Sequence, residues 1–364
     1  HYVVALVQSA LGAAEKATEH LLAVPSTAWK AQGSYLDCPY RRERAAQVLD
    51  QALTARFPLP RPLEKPFDSP ADAEQAAAAL RLHSELAPGA APPLPRRVLG
   101  VLAAFSRPKP DVPAARQVAE RLLDDPALRA PTAWHDRLAV LLALARTQGD
   151  SPEEVARAAE LFRAAWSQLP DNHDLSAIDR YKFILAPALE LANRTQPDRL
   201  NEVARRDLGW LCAQLGELLD NNLYGVDWPF PDTRQQAVDA FTAALKFDAE
   251  NAQWYVGRAR ARHYLREKKS PQERRQVLQG IEADALRAKE LKPDLPGGHH
   301  WLGYVRILQA RDTLELGERI RLAQQAIEHF ERARPLYDQP GYDAGARAQW
   351  LTTKSATDRD RAKP

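Results

Sequence analysis

The sequence contains no methionine and only two cysteines, Cys38 and Cys212, among its 364 residues. Two cysteines cannot form a disulfide framework, and their separation does not match the ligand spacing of a zinc site. No apolar run approaches the roughly 20 residues that a membrane-spanning helix needs. Because the chain begins with His1 rather than with an initiator methionine, we expect a processed protein or a segment of a longer one.

An excess of one charge is also missing. Lysine and arginine total 50 against 48 acidic residues, a net charge of +2, and 45% of the residues are hydrophobic. This balance excludes a disordered acidic tail and a polycation. The N-terminus carries no signal-peptide pattern, and the two cysteines fit a reducing compartment, so we expect a cytoplasmic protein.

Runs of alternating β-branched residues are almost absent, whereas alanine, leucine, arginine and glutamate, which favour helices, dominate. The composition therefore predicts an all-α fold. Half of the 28 prolines lie between Pro58 and Pro131. Since proline interrupts a helix, this stretch is predicted to be short helices joined by stiff connectors. We expect an irregular helical region over 1–130, a helical repeat domain over 131–356 and a disordered tail over 357–364.

From about residue 132 the predicted helices come in pairs, and the second helix of each pair repeats one pattern. A residue, usually alanine, is followed four residues later by phenylalanine or alanine, and three residues after that by alanine. The four copies are Ala158/Phe162/Ala165 with Pro170, Ala237/Phe241/Ala244, Ile281/Ala285/Ala288 with Pro293, and Ala326/Phe330/Ala333.

These spacings place the three positions on one helix face. Small side chains let a partner helix approach closely, and a bulky ring fills the groove between helices. The matching close crossing on a first helix is predicted at Leu302-Gly303, with a counterpart at Leu208-Gly209.

The pattern resembles the tetratricopeptide repeat family over roughly residues 132–340. The last three copies recur at about 44 residues, longer than the 34 that is usual in the family. His299 stands where the family's first helix has tryptophan. The resemblance implies a right-handed α-solenoid of helical hairpins whose concave groove binds a partner peptide or helix.

The resemblance also implies which side chains face that groove. It assigns partner binding to Gln253, Arg260, His263, His300 and Tyr304. Arg260 and His263 are predicted to pair with an acidic ligand. Gly257 and Trp301 occupy the positions where the family's clamp for a C-terminal carboxylate has asparagine, so that subtype is not supported.

Three further arginines, spaced four residues apart, would form a basic stripe along one helix face: Arg258, Arg262 and Arg266. We interpret it as a solvated helix face or a patch for an acidic partner. Nucleic-acid binding is disfavoured, because the net charge is small and the nearby Trp254 is expected to pack between helices.

No motif for catalysis, for a cofactor or for a metal occurs. The sequence therefore favours a non-catalytic protein–protein interaction scaffold. One alternative is the regulatory or substrate-recruiting C-terminal region of a larger enzyme, such as a bacterial serine/threonine protein kinase, which the upstream reading frame would reveal. A third interpretation, a helical enzyme with a site within 58–131, would need converging ionisable groups there, and the sequence shows none.

The repeat register can be tested by Ala326→Trp. The larger side chain should overpack the last hairpin and destabilise it by roughly 1–3 kcal/mol. Thermal unfolding followed by circular dichroism measures the effect, and an unchanged melting temperature would show that the register is wrong.

Overall fold

The computed structural model describes residues 1–31, 36, 38–57, 67–87, 93–107, 110–170, 176–221, 233–266 and 270–337. Within these ranges the chain forms helices and no strand, which confirms the all-α class. The predicted tail over 357–364 lies outside the described residues. The chain divides into two compact units, His1–Asp174 and Leu175–Pro364. The boundary near residue 130 that the prolines suggest stays a prediction.

The first unit contains ten α-helices among its described residues. They are α1 Tyr2–Ala10, α2 Ala14–Leu22, α3 Ser26–Lys30, α4 Pro39–Arg56, α5 Pro70–Leu86, α6 Leu94–Phe105, α7 Val112–Leu123, α8 Pro126–Arg129, α9 Trp134–Arg146 and α10 Pro152–Ser167.

The second unit contains eight α-helices among its described residues. They are α11 Ala177–Arg180, α12 Ala186–Arg194, α13 Glu202–Asn221, α14 Thr233–Phe247, α15 Ala252–Leu265, α16 Pro271–Leu291, α17 Pro296–Asp312 and α18 Leu316–Tyr337. A π-helical turn, Tyr181–Leu185, joins α11 to α12.

Prolines in this chain often start helices rather than separate them. Pro95 is the second residue of α6, a helix with a buried apolar face in the stretch where the prolines predicted short helices and stiff connectors. Proline is tolerated there because the first turn of a helix has unpaired N–H groups in any case. Ser69 and Ser270, each followed by proline, cap α5 and α16 by accepting the backbone N–H three residues on.

The second unit is built from hairpins stacked in chain order. Helices α13, α15 and α17 pair with α14, α16 and α18, and each second helix also packs against the next first helix. The first helices contact one another more extensively than the second helices do. They therefore line the inner side of the stack within this unit.

The ring of Phe241 on α14 fixes how closely α13 and α15 approach. Phe241 is fully buried. A Cβ atom added at Gly216 on α13 would lie 2.7 Å from this ring, and one added at Gly257 on α15 would lie 2.5 Å from it. The ring thus occupies the space that two missing side chains leave, and the repeated phenylalanine has the packing role that its spacing predicted.

The last hairpin, α17 and α18, also packs a phenylalanine ring against a glycine. A Cβ atom added at Gly303 on α17 would lie 3.0 Å from the Phe330 ring and 3.1 Å from the Ala326 carbonyl oxygen. The close crossing predicted at Leu302-Gly303 is therefore present. A Cβ atom added at the counterpart, Gly209 on α13, would lie 3.0 Å from the Trp254 ring of α15.

We expect Gly257→Ala to destabilise the second unit by about 1–3 kcal/mol, because the new methyl group collides with the Phe241 ring. Gly100→Ala is the matched control, since a Cβ atom there meets only Leu80 at an ordinary 3.6 Å. That control should unfold at an equal or higher temperature, because alanine favours a helix over glycine. Equal behaviour of the two variants in thermal unfolding would contradict the role given to Phe241.

Candidate functional site

The candidate site is the surface of the first helices in the second unit, and we call it the first-helix face. Helix α15 contributes Gln253, Arg260 and His263, and α17 contributes His300 and Tyr304. The structure brings His263, His300 and Tyr304 together around the Trp301 ring, as the following contacts show. Gln253 is exposed near the start of α15, and Arg260 contacts α13 instead.

Rings from α15 and α17 form one cluster. The centroids of His263 and Tyr304 lie 4.7 Å apart with the rings edge to face, and those of His263 and Trp301 lie 5.6 Å apart. The Tyr304 hydroxyl and the His263 Nε2 atom are 3.5 Å apart. Trp301 is buried, whereas His263 and Tyr304 remain half-buried. The cluster joins the two helices and leaves the His263 and Tyr304 rings half-buried, although the His263 Nδ1 atom itself is buried.

His300 lies in the interior beneath this cluster. Its side chain is surrounded by the rings of Trp301, Phe330 and Tyr337, with centroids 5.4, 5.9 and 6.1 Å away, and the residue is only 6% exposed. The resemblance implied an open groove position, but in the structure α18 covers this imidazole. Contact between His300 and a partner would therefore require movement of the end of α18.

Burial makes His300 hard to protonate. Desolvation, together with the neighbouring His263, lowers the pKa of His300 to about 4, and its buried Nδ1 atom has no hydrogen-bond partner. The His299 and His329 rings pack nearby with centroids 5.7 Å apart. Burial, adjacent His299 and nearby cations lower the pKa of His329 to about 4 as well. These imidazoles are consequently neutral near pH 7.

Arg260 is already paired within the chain. Its guanidinium contacts Glu217 at 2.9 Å and the nearly buried Asp220, both on α13. Burial disfavours the charged guanidinium, but the two carboxylates raise its pKa, so it stays charged. This arrangement ties α15 to α13. The prediction that Arg260 recognises an acidic ligand therefore finds the side chain engaged by internal carboxylates.

The basic stripe on α15 is also used internally. Arg258 and Arg262 each reach Asp284 of α16 at 2.6 Å, and the Asp284 side chain is only 2% exposed. The sequence indicated a solvated face or an acidic-partner patch, whereas these two arginines neutralise a buried carboxylate. No local sequence signal marks this pairing, because Asp284 lies 26 and 22 residues after Arg258 and Arg262.

Among the described residues no group of three histidine, cysteine or acidic side chains could hold a metal ion. Burial raises the pKa of the Cys212 thiol to about 12, so this cysteine is not a thiolate at neutral pH. None of the helices in the described ranges has the length and apolarity needed to cross a membrane.

No protein-family profile matches the chain, and no curated protein matches it. One similar solved structure is the TPR2AB-domain:pHSP90-complex of yeast Sti1. The two chains share 14% identity over 78% of this chain and 92% of that one, with a TM-score of 0.28. So low a TM-score supports no argument about a site, and the fold rests on the helices described above.

The buried imidazoles predict a loss of stability in mild acid. The unfolded chain binds a proton at His300 near pH 6.5, whereas the folded chain binds it only near pH 4. Stability contributed by neutral His300 is therefore present above pH 6.5 and declines as the pH falls. Between pH 7 and pH 5 the loss should be about 2 kcal/mol.

The variant His300→Phe keeps a ring and removes this proton site. Its melting temperature should fall less than that of the parent protein between pH 7 and pH 5. Tyr304→Phe, which alters a neighbouring ring without removing an imidazole, should retain the parent's pH dependence. Identical pH profiles for His300→Phe and the parent would contradict the assignment.

Proposed function

We propose that this chain is a non-catalytic protein-interaction scaffold whose first-helix face binds a segment of a partner protein. One observation supports the proposal above others. The half-buried rings of His263 and Tyr304 lie side by side on two helices that are fixed by tight packing. A rigid surface with half-buried aromatic anchors suits recognition of a peptide or helix.

The contacts also bear on the chemistry of that partner. Arg258, Arg260 and Arg262 pair with internal carboxylates, so they offer the partner little free positive charge. Gln253 and Tyr304 supply an amide and a hydroxyl group. These groups favour a partner segment that presents hydrogen-bonding groups and an apolar side chain over a purely acidic one.

The same face would serve an independent adaptor or the regulatory region of a larger enzyme. If the chain is instead the regulatory region of a serine/threonine kinase, the same residues would bind the partner. The upstream reading frame distinguishes that alternative from an independent adaptor. The cytoplasmic location likewise stays a prediction.

The proposal can be tested by affinity capture with quantitative mass spectrometry. The face variant combines Gln253→Arg, His263→Gln and Tyr304→Phe, which changes the polar groups while largely preserving side-chain size. The control variant combines Arg287→Gln and Glu290→Gln, an exposed ion pair on the second helix α16. Circular dichroism should show that both variants retain the parent's helix content.

A genuine partner should be enriched by the parent and the control but recovered about tenfold less with the face variant, equivalent to losing one or two hydrogen bonds. Binding of the corresponding partner peptide, measured by calorimetry, should show the same order. If every enriched protein is recovered equally by the parent and the face variant, the assigned face is wrong.

A further inference from the structure

The first unit contains a cavity that the proposed function does not use. Helix α6 packs between α5 and α7, and the cavity lies over α6 with walls from the other two helices. Its volume is about 580 Å³. Small-molecule sites commonly have volumes of a few hundred to one thousand cubic ångströms, so this cavity has the size of a ligand site.

The cavity wall is largely apolar, and a glycine keeps its floor open. Leu80, Val101 and Val118 contribute from the three helices. Gly100, in the interior of α6, also lines the cavity, and a Cβ atom added there would meet only Leu80, at 3.6 Å. Glycine is unfavourable within a helix, and no close neighbour requires it at this position. The missing side chain enlarges the space above α6.

Positive charge surrounds this apolar floor. Five arginines and one aspartate of the described ranges line the cavity. Two of the arginines have internal partners: Arg96 pairs with Asp50 of α4, and Arg97 pairs with Asp125. The lining aspartate, Asp111, accepts the Ala114 N–H with its carboxylate as the cap of α7.

The other three arginines are not neutralised in this way. Arg81 on α5, Arg107 just after α6 and Arg121 on α7 form no ion pair with any residue that the structure describes. Arg81 only donates its Nε–H to the Ala77 carbonyl oxygen of its own helix, at 3.4 Å. Guanidinium groups from all three sides of the cavity are thus available to an anion.

We propose that this cavity binds a small anionic amphiphile, a carboxylate, sulfonate or phosphate head group attached to an apolar body. The head group would accept hydrogen bonds from Arg81, Arg107 or Arg121, whose planar guanidinium groups match such oxyanions. The apolar body would lie against Leu80 and Val101. Among the described residues that line the cavity there is no phenylalanine, tyrosine or tryptophan, which disfavours the stacked base of a nucleotide.

The first test uses the fluorescent probe anilinonaphthalene sulfonate with the full chain. Dodecanoate and dodecyl phosphate, below their micelle-forming concentrations, should displace the probe, and dodecanol and dodecyltrimethylammonium should not. Comparing the probe displacement by dodecanoate with that by dodecyl phosphate shows whether the cavity prefers a carboxylate or a phosphate head group. Equal displacement by dodecanol and dodecanoate would show that charge plays no part and would overturn the proposal.

The second test uses variants of the cavity. Arg81→Gln combined with Arg121→Gln should weaken dodecanoate binding about tenfold or more, since charge-assisted hydrogen bonds are lost. Gly100→Leu should weaken it by filling the floor without changing a charge. Arg129→Gln is the control. Arg129 is exposed, pairs with Asp124 and is not among the residues that line the cavity.

All three variants should retain the parent's circular-dichroism spectrum and melting behaviour. Unchanged dodecanoate affinity in both cavity variants would overturn the proposal. Capture of a glutamate-rich peptide without any binding of dodecanoate or dodecyl phosphate would also overturn it, in favour of a peptide site.

Discussion

The close approach of helices around the Phe241 ring is the constraint on which the second unit depends. The ring fits where Gly216 and Gly257 have no side chains, so neighbouring first helices lie near one another. A second glycine, Gly297 on α17, allows a similar approach to α15, since a Cβ atom added there would lie 2.5 Å from Val256. Rings from α15 and α17 then meet in one cluster on the first-helix face. Hence the surface proposed to bind a partner is set by contacts in the interior, several of which involve glycine rather than the surface residues themselves.

Electrostatics adds a second constraint, because buried carboxylates determine what the basic residues can do. Asp284 and Asp220 are nearly inaccessible, and each would be costly to bury without a cation. The cations that pair with these carboxylates are Arg258, Arg260 and Arg262, all on α15. Their ion pairs fix the position of α15 relative to α13 and α16. In the first unit, by contrast, Arg81, Arg107 and Arg121 border a cavity and form no ion pair with another residue of the described ranges. Similar side chains therefore have a structural role in one unit and a proposed ligand-binding role in the other.

Several features of the fold could be predicted because they depend on short-range periodicity. The buried positions Ala237, Phe241 and Ala244 follow from spacings of three and four residues, and the crossing at Gly303 follows from its distance after Pro293. Helix α6 was harder to predict, since prolines at a helix start and in a connector look alike in sequence. The pairing of Arg258 with Asp284 joins residues 26 positions apart, and nothing local identifies a carboxylate as the partner.

The sequence alone determined the helical class, the paired organisation of the repeats and the small and aromatic residues that make helices pack closely. These properties follow from helix propensity and from the 3.6-residue turn, which act over a few residues. Only the tertiary structure decided that His300 is covered, that the α15 arginines are neutralised and that three cavity arginines lack an ion-pair partner among the described residues. Burial and ion pairing depend on which distant side chains share a space, and that is set when the helices pack.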